Sequence, residues 1–160
     1  MADMSSDHTI ALDAIGTIHT RVADDAVAKH RRDICSTIVL FDRYAEGLAG
    51  IEHYSHLFVL FWLHRATAPT QLTAHPRGDP TLPVTGVFAA RGRNHPNGIG
   101  LAVVELIECQ GATLTVRRLD AYDGTPVLDL KPYDEYDIVA NPQVPGWWRQ
   151  HAMTPRKDPR

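Results

Sequence analysis

The sequence predicts a mainly β domain, a small barrel or sandwich with short helical inserts. Three observations carry this: six or seven short apolar or β-branched runs, turn signals between them, and no long stretch of helical periodicity. A chain of 160 residues is one domain's worth, long enough to bury about 68–70% of its unfolded surface.

Ile15–His19 alternates weakly and reads as the first strand, with residues 1–14 before it a disordered N-terminus. Thr20–His30 is polar, charged and irregular, which predicts a loop. Ser36–Phe41 is a β-branched run of strand length, and Arg43–Glu52, broken by Gly47 and Gly50, is a short helical turn or loop. His56–His64 is apolar at successive positions and predicts a strand buried on both faces. Arg65 to Thr81 is a long connection with prolines at 69, 76 and 80, a length usually kept for functional loops. Val84–Ala90, Gly100–Glu108 and Ala112–Tyr122 follow as strand-like runs, the last two joined by a hairpin at Cys109-Gln110-Gly111. Asp123-Gly124 is a turn signal before a short extended run, Pro126–Lys131. Beyond Tyr133 the chain turns acidic and proline-rich, so residues 15–140 form the barrel domain and 141–160 a C-terminal tail.

Composition narrows the function. The chain is 44% hydrophobic and 22% charged, an ordinary globular balance. Nineteen acidic against sixteen basic residues leave a net charge of −3. That excludes nucleic-acid binding by bulk charge and leaves only a local basic patch. The two cysteines, Cys35 and Cys109, lie far apart without CxxC or zinc spacing and read as small buried hydrophobes. The N-terminus has no apolar signal region, and the longest apolar run, Leu57–Leu63, is too short to cross a bilayer; a soluble, cytoplasmic protein is expected. Phosphate-loop, dinucleotide and hydrolase-elbow motifs are absent. His53 and His56 would share a face only on a helix and lack a third ligand, so no metal is expected.

The most unusual stretch is Gly86–Gly100, where an apolar run enters a loop rich in glycine, asparagine and arginine and returns to a strand. Such a loop brings backbone close to a ligand, and Arg91 and Arg93 add donors for a carboxylate or phosphate. Asp123 and Thr125 flank the turn glycine, and Asp129 and Lys131, two apart on an extended run, share one face.

Three blocks together carry a family resemblance. Gly86-Val-Phe-Ala-Ala-Arg-Gly-Arg-Asn-His-Pro-Asn-Gly-Ile-Gly100 resembles the signature G-V-F-A-T-R-S-x-x-R-P-N-P-I-G. Tyr44–Leu57 resembles Y-x-x-G-L-x-G-I-E-x-Y-S-H-L, and Leu119–Tyr133 contains D-G-T-P-V-L-D-L-K-P-Y. These co-linear blocks resemble the TrmO-type (TsaA-like) family of S-adenosylmethionine-dependent tRNA N6-threonylcarbamoyladenosine methyltransferases. The resemblance implies a small β-barrel methyltransferase outside the Rossmann class, a homodimer whose second copy completes the cofactor pocket, and tRNA as methyl acceptor. The chain departs from the signature at Ala90, Gly92, His95 and Gly98, and it ends soon after the barrel, without the separate C-terminal domain that some members use in handling tRNA.

By resemblance, S-adenosyl-L-methionine contact falls on Phe88, Arg91, Asn97, Gly98, Asp123, Thr125 and Lys131, with His56 close to the pocket. An adenine N6 must lose a proton on methylation, and Asp129, Tyr133 and His95 are the candidate catalytic acceptors, among which the sequence does not choose. A small-molecule acceptor, or cofactor binding without catalysis, stays open beside the tRNA reading. Trp147-Trp148, with Arg149, Arg156 and Lys157, has the makings of a base-stacking tail but reads more simply as aromatics docked on the barrel or a partner.

Overall fold

The structure, a computed structural model, describes residues 9–151. Six strands close into an antiparallel barrel: β1 (Gly16–His19), β2 (Cys35–Leu40), β3 (His56–Trp62), β6 (Ile99–Gln110), β7 (Thr113–Arg117) and β8 (Thr125–Pro132). Their order around the barrel is β1-β2-β7-β6-β3-β8, and closure removes the sheet edges that would otherwise invite aggregation. A separate ribbon pairs β4 (Thr73–Ala74) with β5 (Thr85–Gly86). Two short helices, α1 (Asp24–His30) and α2 (Gly146–His151), complete the elements beside several 3-10 turns.

The period-2 pattern that makes these residues strands also fills the barrel. Ile18, Ile38, Leu57, Val59, Val104, Leu114, Val116 and Val127 point inward with no exposed surface, each worth about 1.5–3 kcal/mol of burial. β6 pairs with β3 over its first half and with β7 over its second, and its register shifts between Leu106 and Glu108. That irregularity bends the strand around the barrel.

Several expectations are corrected. The polar stretch Thr20–His30 holds α1, anchored by buried Val27, with Asp24 and Asp25 in its first turn and Lys29 and His30 in its last. The charges that suggested a loop are those a helix dipole favours at its ends. β3 is buried on one face only: Leu57, Val59 and Phe61 face the core, His56, Phe58 and Leu60 are half-buried, and Trp62 is exposed. A small barrel has a single interior, so the outer side of even a continuous apolar run lies against less protein. Val84–Ala90 pairs only at Thr85–Gly86, after which a 3-10 turn, Val87–Ala89, takes over. The run expected to reach Tyr122 stops at Arg117, because Arg118 adopts φ 75°, incompatible with a continuing strand. Cys35 is exposed, not buried, at the start of β2. Cys109 is partly buried, and that burial, reinforced by Glu52, pushes its thiol pKa up.

Trp147 is half-buried and Trp148 exposed on α2; Arg156 and Lys157 lie outside the described residues. No helix among the described residues is long and apolar enough to cross a membrane.

Candidate functional site

One rim of the barrel collects the ends of β1 and β3 and the beginnings of β2, β6 and β8. The Asp123-Gly124 turn is fastened there by Gly124 N–H, which donates to Ile18 O at 2.9 Å. Thr20 N–H donates to Asp123 Oδ1 at 3.0 Å, and His19 Nδ1 stands 3.5 Å from the same oxygen. Gly124 has φ 77°, the left-handed value a glycine takes without strain. Thr125 is buried, with Oγ1 3.5 Å from His64 Nδ1.

His64 and Arg65 follow β3 directly and link three segments. Arg65 Nε donates to His64 Nε2 at 3.2 Å, its guanidinium lies 5.1 Å from the Tyr122 ring centroid, and it pairs with Asp24 of α1. Sequence reasoning passed over His64, Arg65 and Tyr122. A signal existed, since two basic side chains stand just past a seven-residue strand of aromatic and aliphatic residues, where the chain leaves the core for a rim.

The Gly86–Gly100 loop reaches the same rim. Leu63 N–H donates to Gly98 O at 2.6 Å, so the loop lies against the segment carrying His64 and Arg65. Asn97 is exposed and its carbonyl accepts from Ile99 N–H at 2.8 Å. Arg91 Nη2 donates to Leu101 O at 3.4 Å, on the outer wall of β6. His95 Nε2 lies 2.9 Å from Ala90 O, and the exposed Phe88 ring meets the His95 ring edge-on at 6.0 Å. Beside this loop the outer barrel wall shows Trp62, Ile99, Leu101 and Val103 to solvent.

The remaining candidates lie elsewhere on the chain. His56 opens β3 and Tyr133 follows β8, at the opposite rim; six residue steps of roughly 3.3 Å separate His56 from Trp62 by about 20 Å. There Tyr133 N–H donates to His56 O at 3.0 Å, and the Tyr133 ring packs edge-on against His56 and Phe58. A cavity of about 290 Å³ opens beside them, lined by His53–His56, Tyr133–Glu135 and Ile138. Asp129 and Lys131 pair at 2.8 Å on the outer wall, opposite Leu60 and Phe58 of β3. One chain therefore places Gly98, Asp123 and Thr125 at one end of the barrel, with Arg91 against the outer wall of β6, and leaves His56 and Tyr133 at the other end. A second, larger concavity of about 520 Å³ runs from Asp123 and His19–Val22 to Cys35–Thr37 and Thr115. Among the described residues no group of three or more histidine, cysteine, aspartate or glutamate side chains has metal-binding geometry.

Around this rim stand the Arg65 guanidinium, the Asp123 carboxylate and the buried Thr125 hydroxyl, beside the exposed apolar residues Trp62 and Ile99.

Comparison with known proteins shows the family. Residues 25–137 match the tRNA-methyltransferase O N-terminal domain family. A probable S-adenosyl-L-methionine-binding protein of Methanothermobacter thermautotrophicus is 42% identical over 133 residues, 81% of this chain and 94% of that one. The human tRNA (adenine(37)-N6)-methyltransferase is 34% identical over 110 residues, 66% of this chain but only 24% of its own. A crystal structure of TrmO superimposes with a TM-score of 0.69 at 32% identity, covering 85% of this chain and 63% of the other. The chain thus spans nearly the whole archaeal relative but under two thirds of the other two.

Proposed function

Because the chain belongs to the tRNA-methyltransferase O N-terminal domain family, we propose that it is an S-adenosylmethionine-dependent methyltransferase. Its acceptor in this reading is N6 of threonylcarbamoyladenosine beside the tRNA anticodon, and it works as a cytoplasmic homodimer. The observation that supports the proposal is that Gly98 of the loop lies against Leu63 while the adjoining His64 stands beside Thr125, so loop and turn border the same end of the barrel.

The sulfonium cofactor, when bound, supplies an activated methyl group. The chain's own work is then to position and to desolvate. Arg91 is the group suited to a carboxylate, because a guanidinium presents paired donors, whereas Arg65 is already held by Asp24. Asp123 suits an ammonium or ribose hydroxyls, and the turn fixes its Oδ1 through Thr20 N–H. Trp62 and Leu101 offer an apolar face for a base. Asn97 and Gly98 bring loop backbone near the same place. Phe88, His56 and Lys131 belong to the cofactor-contact set of this proposal but stand apart from the rim within one chain.

Of the three proton acceptors proposed, His95 is best supported. A carbonyl only accepts, so the Nε2–H donates to Ala90 O, and Nδ1 is the ring nitrogen left to take a proton. Asp129 already pairs with Lys131 and accepts from Leu130 N–H, and Tyr133 packs edge-on against His56 and Phe58 at the far rim.

The test is calorimetry with S-adenosylmethionine followed by transfer of labelled methyl to tRNA bearing threonylcarbamoyladenosine. Binding with transfer supports the whole reading. Binding without transfer points to a small-molecule acceptor or a binding module, which the departures at Gly92, His95 and Gly98 would favour. Absence of binding at high protein concentration removes it.

A further inference from the structure

Beside the Asp123 turn, the concavity of about 520 Å³ lies against the outer wall of β1, β2 and β7. His19, Thr37 and Thr115 stand in one row across these strands, alternating outward from the buried Ile18, Ile38 and Leu114. Ser36 borders the concavity too; it is 4% exposed, and its hydroxyl has no hydrogen-bond partner among the described residues. An unmet buried hydroxyl costs about 1–3 kcal/mol. The volume is that of a small-molecule site, roughly 300–1,000 Å³. One edge is basic. Arg117 lies opposite Cys35 on the face of β7 that carries Thr115, about 7 Å further along (two steps of roughly 3.3 Å). Arg118 N–H donates to Ile34 O at 2.8 Å and Ile34 N–H to His30 O at 3.0 Å, which brings Arg118 to the turn carrying Arg31 and Arg32. Arg21 in the lining, and Arg31, Arg32 and Arg118 along the edge, are exposed and have no ion-pair partner among the described residues. Of the nearby carboxylates, Glu105 is taken up by Arg117 at 2.8 Å and Asp24 by Arg65. Lys29, Arg31, Arg32 and Arg118 therefore outnumber Asp33 and Asp120 along this edge.

We propose that this concavity takes one unpaired nucleoside of an RNA strand, whose flanking phosphates are held by Arg31, Arg32 and Arg118. RNA as the ligand rests on the methyltransferase reading above; the concavity adds where the strand sits. Asp123 belongs both to the turn at the cofactor end of the barrel and to the lining, so a nucleoside seated there lies beside the residues proposed for the cofactor. Hydroxyls of Thr37, Thr115 and Ser36 each donate and accept, which suits a base edge and a ribose 2′-hydroxyl alike. Guanidinium forks match phosphate oxygens two at a time. A base stacked and paired inside a duplex cannot enter, whereas a loop nucleotide splays out. A chain of net charge −3 cannot hold RNA by bulk charge, yet gripping the phosphates around a single nucleoside needs only a few local arginines.

Anisotropy of a labelled RNA hairpin with an unpaired loop, beside a blunt RNA duplex of equal length, tests the surface. The wild type is expected to prefer the hairpin, with log affinity falling as log salt rises. A chain carrying Arg31→Gln and Arg118→Gln should bind the hairpin about tenfold more weakly and lose about 1–2 from the salt slope, while S-adenosylmethionine binding in calorimetry is unchanged. Arg32→Gln should act in the same direction, and circular dichroism checks that each variant is folded. Cys35 lines the concavity and Cys109 does not, so saturating hairpin should slow iodoacetamide alkylation of Cys35 several-fold and leave Cys109 as before. Unchanged affinity and slope in the folded variants, equal affinity for hairpin and duplex, or an unprotected Cys35 would overturn the assignment. A wild type that binds the hairpin but no S-adenosylmethionine removes the methyltransferase reading and leaves the RNA surface standing. One that binds S-adenosylmethionine but no hairpin removes the RNA surface and leaves a methyltransferase with a small-molecule acceptor.

Discussion

Gly100 is where a single added methyl should cost the most for its size. It faces the barrel interior near the start of β6, opposite Phe61 of β3. A Cβ there would lie within 2.6 Å of three Phe61 ring carbons, Cδ2, Cε2 and Cζ, closer than real Cβ atoms come. Phe61 is 3% exposed, so its ring has no solvent to swing into. Overpacking of this kind costs about 1–3 kcal/mol, and full expulsion of the ring would approach the roughly 3–5 kcal/mol of losing a core phenylalanine. Relief of glycine's backbone entropy returns about 0.5–1 kcal/mol. Gly100→Ala should therefore destabilise by about 2–3 kcal/mol, lowering Tm by about 4–12 °C. Phe61→Leu in the same chain should recover part of that loss, since the two positions share the clash. The measurement is urea unfolding of both singles and the double. A Gly100→Ala chain melting within about 2 °C of wild type, or strictly additive effects, would refute the packing described. The variant should also bind S-adenosylmethionine more weakly, because Gly100 sets the exit of the loop carrying Arg91 and Asn97.

Other outcomes follow from the same geometry. Gly124→Ala forces an L-residue to φ 77° and should cost about 1–2 kcal/mol, read by denaturation, while loosening Asp123 and weakening cofactor binding in calorimetry. Arg65→Ala removes the pair with Asp24 and the stack on Tyr122; amide exchange in α1 should speed up by mass spectrometry, and unchanged exchange would show that Val27 alone holds the helix. Exposed Cys35 should alkylate several-fold faster than half-buried Cys109 in a timed iodoacetamide reaction. Because the folded state holds the Cys109 thiol pKa up, it binds the proton more tightly than the unfolded chain, so stability should fall as pH rises through and above the ordinary thiol range. Cys109→Ser should flatten that slope.

What could be read beforehand and what could not divides along physical lines. The β-branched run Ser36–Phe41 and the apolar run Gly100–Glu108 already implied strands, because residue types that suit a pleated, half-buried surface are a local property of the chain. Turn chemistry at Asp123-Gly124 was equally local. α1 escaped because a seven-residue helix has little apolar periodicity, and one buried contact, Val27, holds it. The Val84–Ala90 run misled because its residue types suit a strand, yet its pairing with β4 runs out where Val87 N–H reaches Leu72 O and the chain turns into the 3-10 segment Val87–Ala89.

The sequence by itself determined a small β domain and, through its three co-linear blocks, the family to which it belongs. Only the tertiary structure decided which of the marked residues meet. Barrel closure brings Thr125 beside His64, 61 positions away in sequence, and Leu63 beside Gly98. It sends His56 and Tyr133 to the far rim although they lie in the same recognised blocks. The reason is geometric: a motif records residue types along one dimension, whereas strand direction and register around a closed sheet fix which end of the barrel each side chain reaches.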